Sequence, residues 1–327
     1  MTEQGIKRII TYGLKYTDFD RQRDLFAMRD NGEIEIVAET GYDPSEPEIF
    51  YRRMPADEVL NMRHDMIIVC SGTKEAAAKE LGLSVGTEEV LCDISVLTNP
   101  HFESFRLLQL GILKEIVNAS DEEIRDEKWL KDRLYRFGFF PFFKLAKEPQ
   151  ENVCWSRAGA LQVPDEFYEL CRYLLDRRFE SAIEIGVAGG ASSYIMAAIL
   201  YRNNPDMKYH MVDIVDGLSG FDEISKLIPS LVKDIPSTSD DFAGRSFDFC
   251  FIDADHSYDG MMKDWYNVGC HSTGITIFHD IFGHEYDKLN GGTVRGWQEI
   301  KDSIGVGRIK EISVYPDKWM GIGIVEF

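Results

Sequence analysis

The sequence predicts an α/β chain of two doubly wound, Rossmann-like domains joined by a helical segment. Three observations predict it. Strand-like and helix-like stretches alternate up to about residue 115. The alternation resumes near residue 160 with longer apolar runs. At 327 residues the chain exceeds the roughly 250 that one core usually sustains. Alternating β and α elements close into a parallel sheet with crossover helices. The expected divisions are 1–115 for an N-terminal module, 116–154 for a helical linker and 155–327 for the second domain.

In the N-terminal module, Lys7–Gly13 is β-branched and ends at a glycine, and Glu33–Glu39 alternates with period two. Asp65–Ser71 is a near-continuous apolar run, as a strand buried on both faces should be. Val90–Cys92 reads as a fourth short strand, and Asp18–Arg29, Ala56–Met62 and Lys74–Leu81 as helices. The first turn, Tyr12-Gly13-Leu14-Lys15-Tyr16, lacks the further glycines of a dinucleotide fingerprint. The module therefore reads as a docking or substrate-orienting domain. Glu39 is the acid that would face a ribose if a nucleotide bound there.

Phe102–Val117 has helical apolar spacing, and Ser120-x-x-Glu123 is a capping box opening a helix over about Glu122–Arg136. The aromatics of Phe137–Phe143 suit a core or an interaction patch, and Lys147–Asn152 suits a linker. The second domain begins with an amphipathic helix, Asp165–Arg177. Strands follow at Ala182–Ile185, Lys208–Val212, Phe247–Ile252 and Gly274–Phe278, with helices at Ser192–Tyr201, Gly260–Val268 and Val294–Ile304. Ile309–Val314 and Gly321–Phe327 close the chain as an antiparallel-looking pair.

Composition limits the partners. A net charge of −20, from 36 Lys+Arg against 56 Asp+Glu, repels phosphate backbones and anionic membranes. No apolar run reaches the ~18 residues of a membrane span, and the N-terminus lacks a signal-peptide pattern. Six scattered cysteines with no CxxC pair read as buried thiols in a reducing cytosol. The expectation is a cytoplasmic protein that handles a small molecule, with no nucleic acid and no membrane; a homo-oligomer is left open.

Four motifs carry chemistry. Glu184-Ile-Gly186-Val-Ala-Gly189-Gly190-Ala-Ser192-Ser193 follows a strand and opens a helix, whose free N–H groups suit a polar or anionic group. Its G-x-x-G-G spacing is not the dinucleotide pattern, and a tight βα turn would look the same. Asp213 ends the next strand, where an acid accepts ribose hydroxyls, though solvated strand-end acids are common. Two buried strands then deliver Asp253-Ala-Asp255-His256 and His279-Asp280 to their carboxyl ends. Carboxylates with imidazoles suit a divalent metal, and His suits a general base. Each residue taken singly could instead be a cap.

Together with the Gly292–Lys301 stretch, these motifs resemble class I S-adenosylmethionine-dependent methyltransferases, nearest to small-molecule and sugar O-methyltransferases with a catechol-type metal site. The resemblance spans about 155–327. It implies that Glu184, Gly186 and Gly189, with Gly190 and Ser192 at the helix entry, hold the methionine part of S-adenosylmethionine. It implies that Asp213 holds the ribose, and that Asp253 borders the cofactor and ligates a divalent metal with Asp280. His256 stands where catechol-type members carry a catalytic Lys. His279 stands where they carry an acid, which alters the ligand set and the preference for Mg. His256 and His279 are the candidate bases. Lys233-Asp234-Ile-Pro-Ser237 replaces the usual Gly-Asp-Ser near the adenine.

The function so implied is methyl transfer to a hydroxyl of a small molecule, such as a sugar, glycoconjugate or nucleotide sugar, assisted by the metal. A metal-dependent hydroxylase or lyase on the same fold is the alternative enzyme. A nucleotide-sugar-binding scaffold is the alternative without catalysis.

Overall fold

A computed structural model describes residues 7–14, 25, 28–29, 32–42, 52–83, 91–93, 100–140, 153–154, 156, 158–283, 290–314 and 320–327. The chain is α/β, and its contacts divide it into two compact units, Met1–Phe105 and Arg106–Phe327.

The first unit holds β1 (Lys7–Tyr12), β2 (Ile34–Thr40), α1 (Ala56–Val59), β3 (Met66–Val69), α2 (Lys74–Glu80) and β4 (Leu91–Asp93). The strands form a parallel sheet in the order β2-β1-β3-β4. Ile10, Ile67 and Val69 pack on one face; Ile9, Ile68 and Cys70 pack on the other. Burial on both faces explains why β3 reads as an unbroken apolar run. Helix α2 starts where the Thr73 hydroxyl accepts the Ala76 N–H. Of the expected helix over 18–29, all but Leu25, Met28 and Arg29 lies outside the described residues.

Helix α3 (Pro100–Asn118) contains the division between the units. The capping box then forms: Ser120 Oγ accepts the Glu123 N–H, and Glu123 Oε2 accepts the Ser120 N–H. The expected helix over 122–136 is two helices, α4 (Asp121–Arg125) and α5 (Glu127–Phe137). Asp126 separates them because its backbone is extended and its carboxylate accepts the Trp129 N–H, which makes it an N-cap. Ile116, Ile124, Leu130, Leu134, Phe137 and Phe139 lie in one buried cluster with Phe249 and Phe251 of the second unit's sheet. The described part of the segment read as a linker thus contributes to that core. Residues 141–150 lie outside the described residues.

The second unit continues with α6 (Pro164–Leu174), β5 (Ser181–Ile185), α7 (Ala191–Asn203), β6 (Lys208–Val212), α8 (Phe221–Leu227) and β7 (Leu231–Asp234). After these come β8 (Phe249–Ile252), α9 (Tyr258–Asn267), β9 (Ile275–Gly283), α10 (Gly292–Ile304), β10 (Ile309–Ile312) and β11 (Met320–Glu326). The sheet order is β10-β11-β9-β8-β5-β6-β7. Strands β5 to β9 run parallel; β11 is antiparallel to β9 and to β10, as the tail predicts. The chain travels from β5 to the β7 edge and returns as β8 beside β5. That reversal opens a crevice at the carboxyl ends of β5 and β8, where open α/β sheets bind ligands.

Candidate functional site

The glycine turn after β5 sits in this crevice. Gly186 has φ +88°, and a Cβ there would collide with the Asp253 carbonyl. Gly190 has φ +80°, and a Cβ there would press on the Tyr194 ring and Leu218. Both glycines answer to the protein's own backbone and packing. Gly189 does not: its φ is ordinary, and nothing lies within 4 Å of the place its Cβ would take. Ser192 stands half-buried in the first turn of α7, which has no side-chain cap.

Glu184 and Asp213 support this turn from two sides. Glu184 is buried in β5, and the Tyr209 hydroxyl donates to its Oε2 at 2.6 Å. Burial pushes its carboxyl up to about 8, against the Tyr209 bond, which favours the charged form. Asp213 Oδ2 accepts the N–H groups of Val187 (3.0 Å) and Ala188 (2.9 Å), and its Oδ1 accepts that of Val215. The strand-end acid thus ties β6 to the glycine turn. Ile214 and Val215 stand exposed beside it. Lys233 pairs with Asp216.

The end of β8 and the middle of β9 bring together the four residues the motifs single out; the strand expected to stop at Phe278 runs on to Gly283 beside β11, so His279 and Asp280 lie within it, just past its last pairing with β8. His256 Nε2 lies 3.3 Å from Asp253 Oδ1 and 3.0 Å from Asp280 Oδ2. His279 Nδ1 lies 3.3 Å and 3.6 Å from the same two oxygens. Asp280 takes a left-handed φ of +59°, strained for a residue other than glycine. The Thr293 hydroxyl donates to its carbonyl at 2.6 Å.

Burial by itself would lower both imidazoles, but the carboxylates outweigh it. His256 rises to about 10 and His279 to about 9, so both rings hold protons at neutral pH in this arrangement. Burial would raise Asp253, yet the His279 charge and the His256 hydrogen bond hold it below the usual carboxylate range.

Asp253, His256 and Asp280 each offer one atom within 4.8 Å of the others, a set able to hold a metal ion. The sequence-based grouping placed His279 in the ligand set and His256 only as a base. In the structure both rings face the same carboxylates. His279 Nε2 is buried with no hydrogen-bond partner among the described residues. Asp255 is exposed and accepts the Ser257 N–H. His271 is exposed in a 3-10 turn after α9, and His284 lies outside the described residues.

Two further residues reach the cluster from the start of α6. Gln162 is fully buried, and its Nε2 donates to Asp253 Oδ2 at 3.3 Å. Its Oε1 is buried with no partner among the described residues. Glu166 is also buried; it accepts the N–H groups of Val314 and Gly321. Burial pushes Glu166 up to about 7, against those two bonds and the nearby His279 charge. Neither residue has a local sequence signal, because a polar residue at a helix start reads as a cap or a solvated face.

In the first unit, Glu39 is buried and lies 3.7 Å from Arg53, and the two residues are bridged through their backbones. Among the described residues no helix is long and apolar enough to cross a membrane.

Residues 183–281 match the family model of a methyltransferase domain. No curated protein sequence matches the chain. Among solved structures, the chain is similar to an O-methyltransferase from Bacillus cereus in complex with SAH: 14% identity, 69% of this chain and 99% of that one, TM-score 0.40. It is also similar to TomG, an O-methyltransferase from Streptomyces achromogenes in complex with SAM: 16% identity, 51% and 81% coverage, TM-score 0.36. A SAM-dependent O-methyltransferase from Thermotoga maritima aligns at 13% identity over 51% of this chain and 66% of that one, TM-score 0.38.

Proposed function

We propose that this chain, whose residues 183–281 match a methyltransferase domain, is an S-adenosylmethionine-dependent methyltransferase that methylates a hydroxyl oxygen of a small molecule, with a divalent metal at its Asp/His cluster. The observation that carries this reading is the junction of two features at one sheet crevice. One is a glycine turn with open space at Gly189, and the other is the Asp253–His256–Asp280 cluster carried by the adjacent strands β8 and β9.

The residues fit the cofactor. The turn from Gly186 to Gly190, with Ser192 at the helix entry, would receive the methionine part, and Gly189 would allow close backbone approach. Glu184 would brace the turn from inside through Tyr209. Asp213 would take the ribose hydroxyls, and the exposed Ile214 would flank the base. The cofactor, when bound, supplies a sulfonium methyl that is already a strong electrophile. The chain's task is therefore positioning and proton handling.

The residues also fit a metal, through two carboxylates and an imidazole with converging atoms. A divalent ion bound there lowers the pKa of an acceptor hydroxyl. In this arrangement Asp253 and Asp280 hold both rings protonated; a cation held by those carboxylates would relieve that, and a ring left uncoordinated would be the one able to take the acceptor's proton. For the acceptor we favour a hydroxylated molecule such as a sugar. For the first unit we favour a docking or substrate-orienting role, since Arg53 occupies Glu39.

Calorimetry with S-adenosylmethionine tests the reading. No binding at ~1 mM ligand means affinity weaker than about −4 kcal/mol and overturns it. A labelled-methyl transfer screen over sugars and nucleotide sugars tests the acceptor. Asp253→Ala should abolish metal-dependent turnover, and unchanged turnover would sink the metal assignment.

A further inference from the structure

We propose that the Asp253–His256–His279–Asp280 centre selects a nitrogen-preferring transition ion, such as Mn²⁺, Co²⁺ or Zn²⁺, over Mg²⁺. The proposal rests on the metal reading above and names the class of ion.

The donor set is the first argument. Magnesium takes oxygen ligands and keeps several waters. Imidazole nitrogen favours the later divalent ions. Here two ring nitrogens, His256 Nε2 and His279 Nδ1, stand 3.0–3.6 Å from the same two carboxylate oxygens. A tetrahedral ion with bonds of about 2.1 Å separates its donors by about 3.4 Å; the four ring-to-carboxylate separations match that spacing, and Asp253, His256 and Asp280 converge within 4.8 Å of one another with His279 beside them.

Enclosure is the second argument. The side chains of His279 and Asp280 are each 2% exposed. Asp253 and His256 are more open, at 16% and 23%, so the closed side of the site favours protein donors over a retained hydration shell while the open side admits an acceptor. Gln162 supplies an independent sign of a ligand. Its amide nitrogen holds Asp253 Oδ2, and its Oε1 is buried without a hydrogen-bond partner among the described residues. An unpaired buried carbonyl is costly, and an ion, or a water on that ion, would satisfy it. By fixing one oxygen of Asp253, Gln162 leaves the other, Oδ1, to face both rings.

The test is a binding measurement on the full chain after chelator treatment. Mg²⁺, Mn²⁺, Co²⁺ and Zn²⁺ are titrated separately by calorimetry, and the visible absorption of bound Co²⁺ reports nitrogen ligation. The expected result is one ion per chain, with the transition ions bound at least about 100-fold more tightly than Mg²⁺. His279→Asn and His256→Asn should each cut that preference by about tenfold or more with Mg²⁺ affinity little changed. Mg²⁺ binding within tenfold of Mn²⁺ and Zn²⁺ in the wild-type chain overturns the proposal and leaves the metal reading standing. No ion binding at all overturns both. If the variants fail to fold, the wild-type titration and the Co²⁺ spectrum decide alone.

Discussion

Gly186 and Gly189 lie three residues apart in one turn, and alanine at each should have opposite consequences. At Gly186 the backbone is left-handed, which costs an alanine about 1–2 kcal/mol. The collision of its Cβ with the Asp253 carbonyl adds to that cost and pushes on the strand end that carries the acidic cluster. Gly186→Ala should therefore lower the melting temperature. At Gly189 the backbone is ordinary and the Cβ position is open. Gly189→Ala should leave stability unchanged or raise it by about 0.4–1 kcal/mol through the unfolded chain. Its methyl would instead intrude on bound S-adenosylmethionine. Crowding of one methyl costs about 1–3 kcal/mol, a factor of about 5–150 in Kd. Thermal unfolding and calorimetry with the cofactor read the two effects separately. A Gly189→Ala chain that binds S-adenosylmethionine as the wild type does would refute the assignment of this turn.

Two further outcomes concern stability. Asp264 is buried in α9, and burial raises its carboxyl to about 6 despite a hydrogen bond with Ser239 that favours the charge. A raised folded pKa means stability that is full below about pH 4 and is lost as pH climbs through 6, by up to about 3 kcal/mol. Asp264→Asn should remove that loss, so its urea midpoint should exceed the wild type's most at pH 7–8 and least near pH 4. Ser120→Ala deletes one half of the capping box at α4 and should cost about 0.5–2 kcal/mol, read as a lower urea midpoint with an unchanged slope.

The legible parts of the fold are those written in local pattern. β3 and β8 are apolar throughout because both their faces are covered, and that leaves a run no surface element would have. The capping box at Ser120 appears in the sequence and in the structure, since both partners lie within four residues. The single helix expected after it was wrong by one residue's chemistry: Asp126 serves as a second cap. Glu39 reads as an acid at a strand end, and only the folded first unit places Arg53 against it.

For the candidate site, the residue types and the two strands that carry them were determined by the sequence alone. Polar residues that follow an apolar run stand out, so Asp253, His256, His279 and Asp280 announce themselves, although the structure ends only β8 there and carries β9 on to Gly283. What each one faces was decided only by tertiary structure. The reversal of strand order between β5 and β8 sets Gly186 against the Asp253 carbonyl, and the parallel pairing of β8 with β9 brings both rings onto shared carboxylates. Gln162, 91 residues from Asp253 in the chain, joins them because α6 packs in the same unit. Hydrogen bonds across such separations have no local pattern. They are set when the layers of the fold pack, and the chemistry of the site follows from that packing.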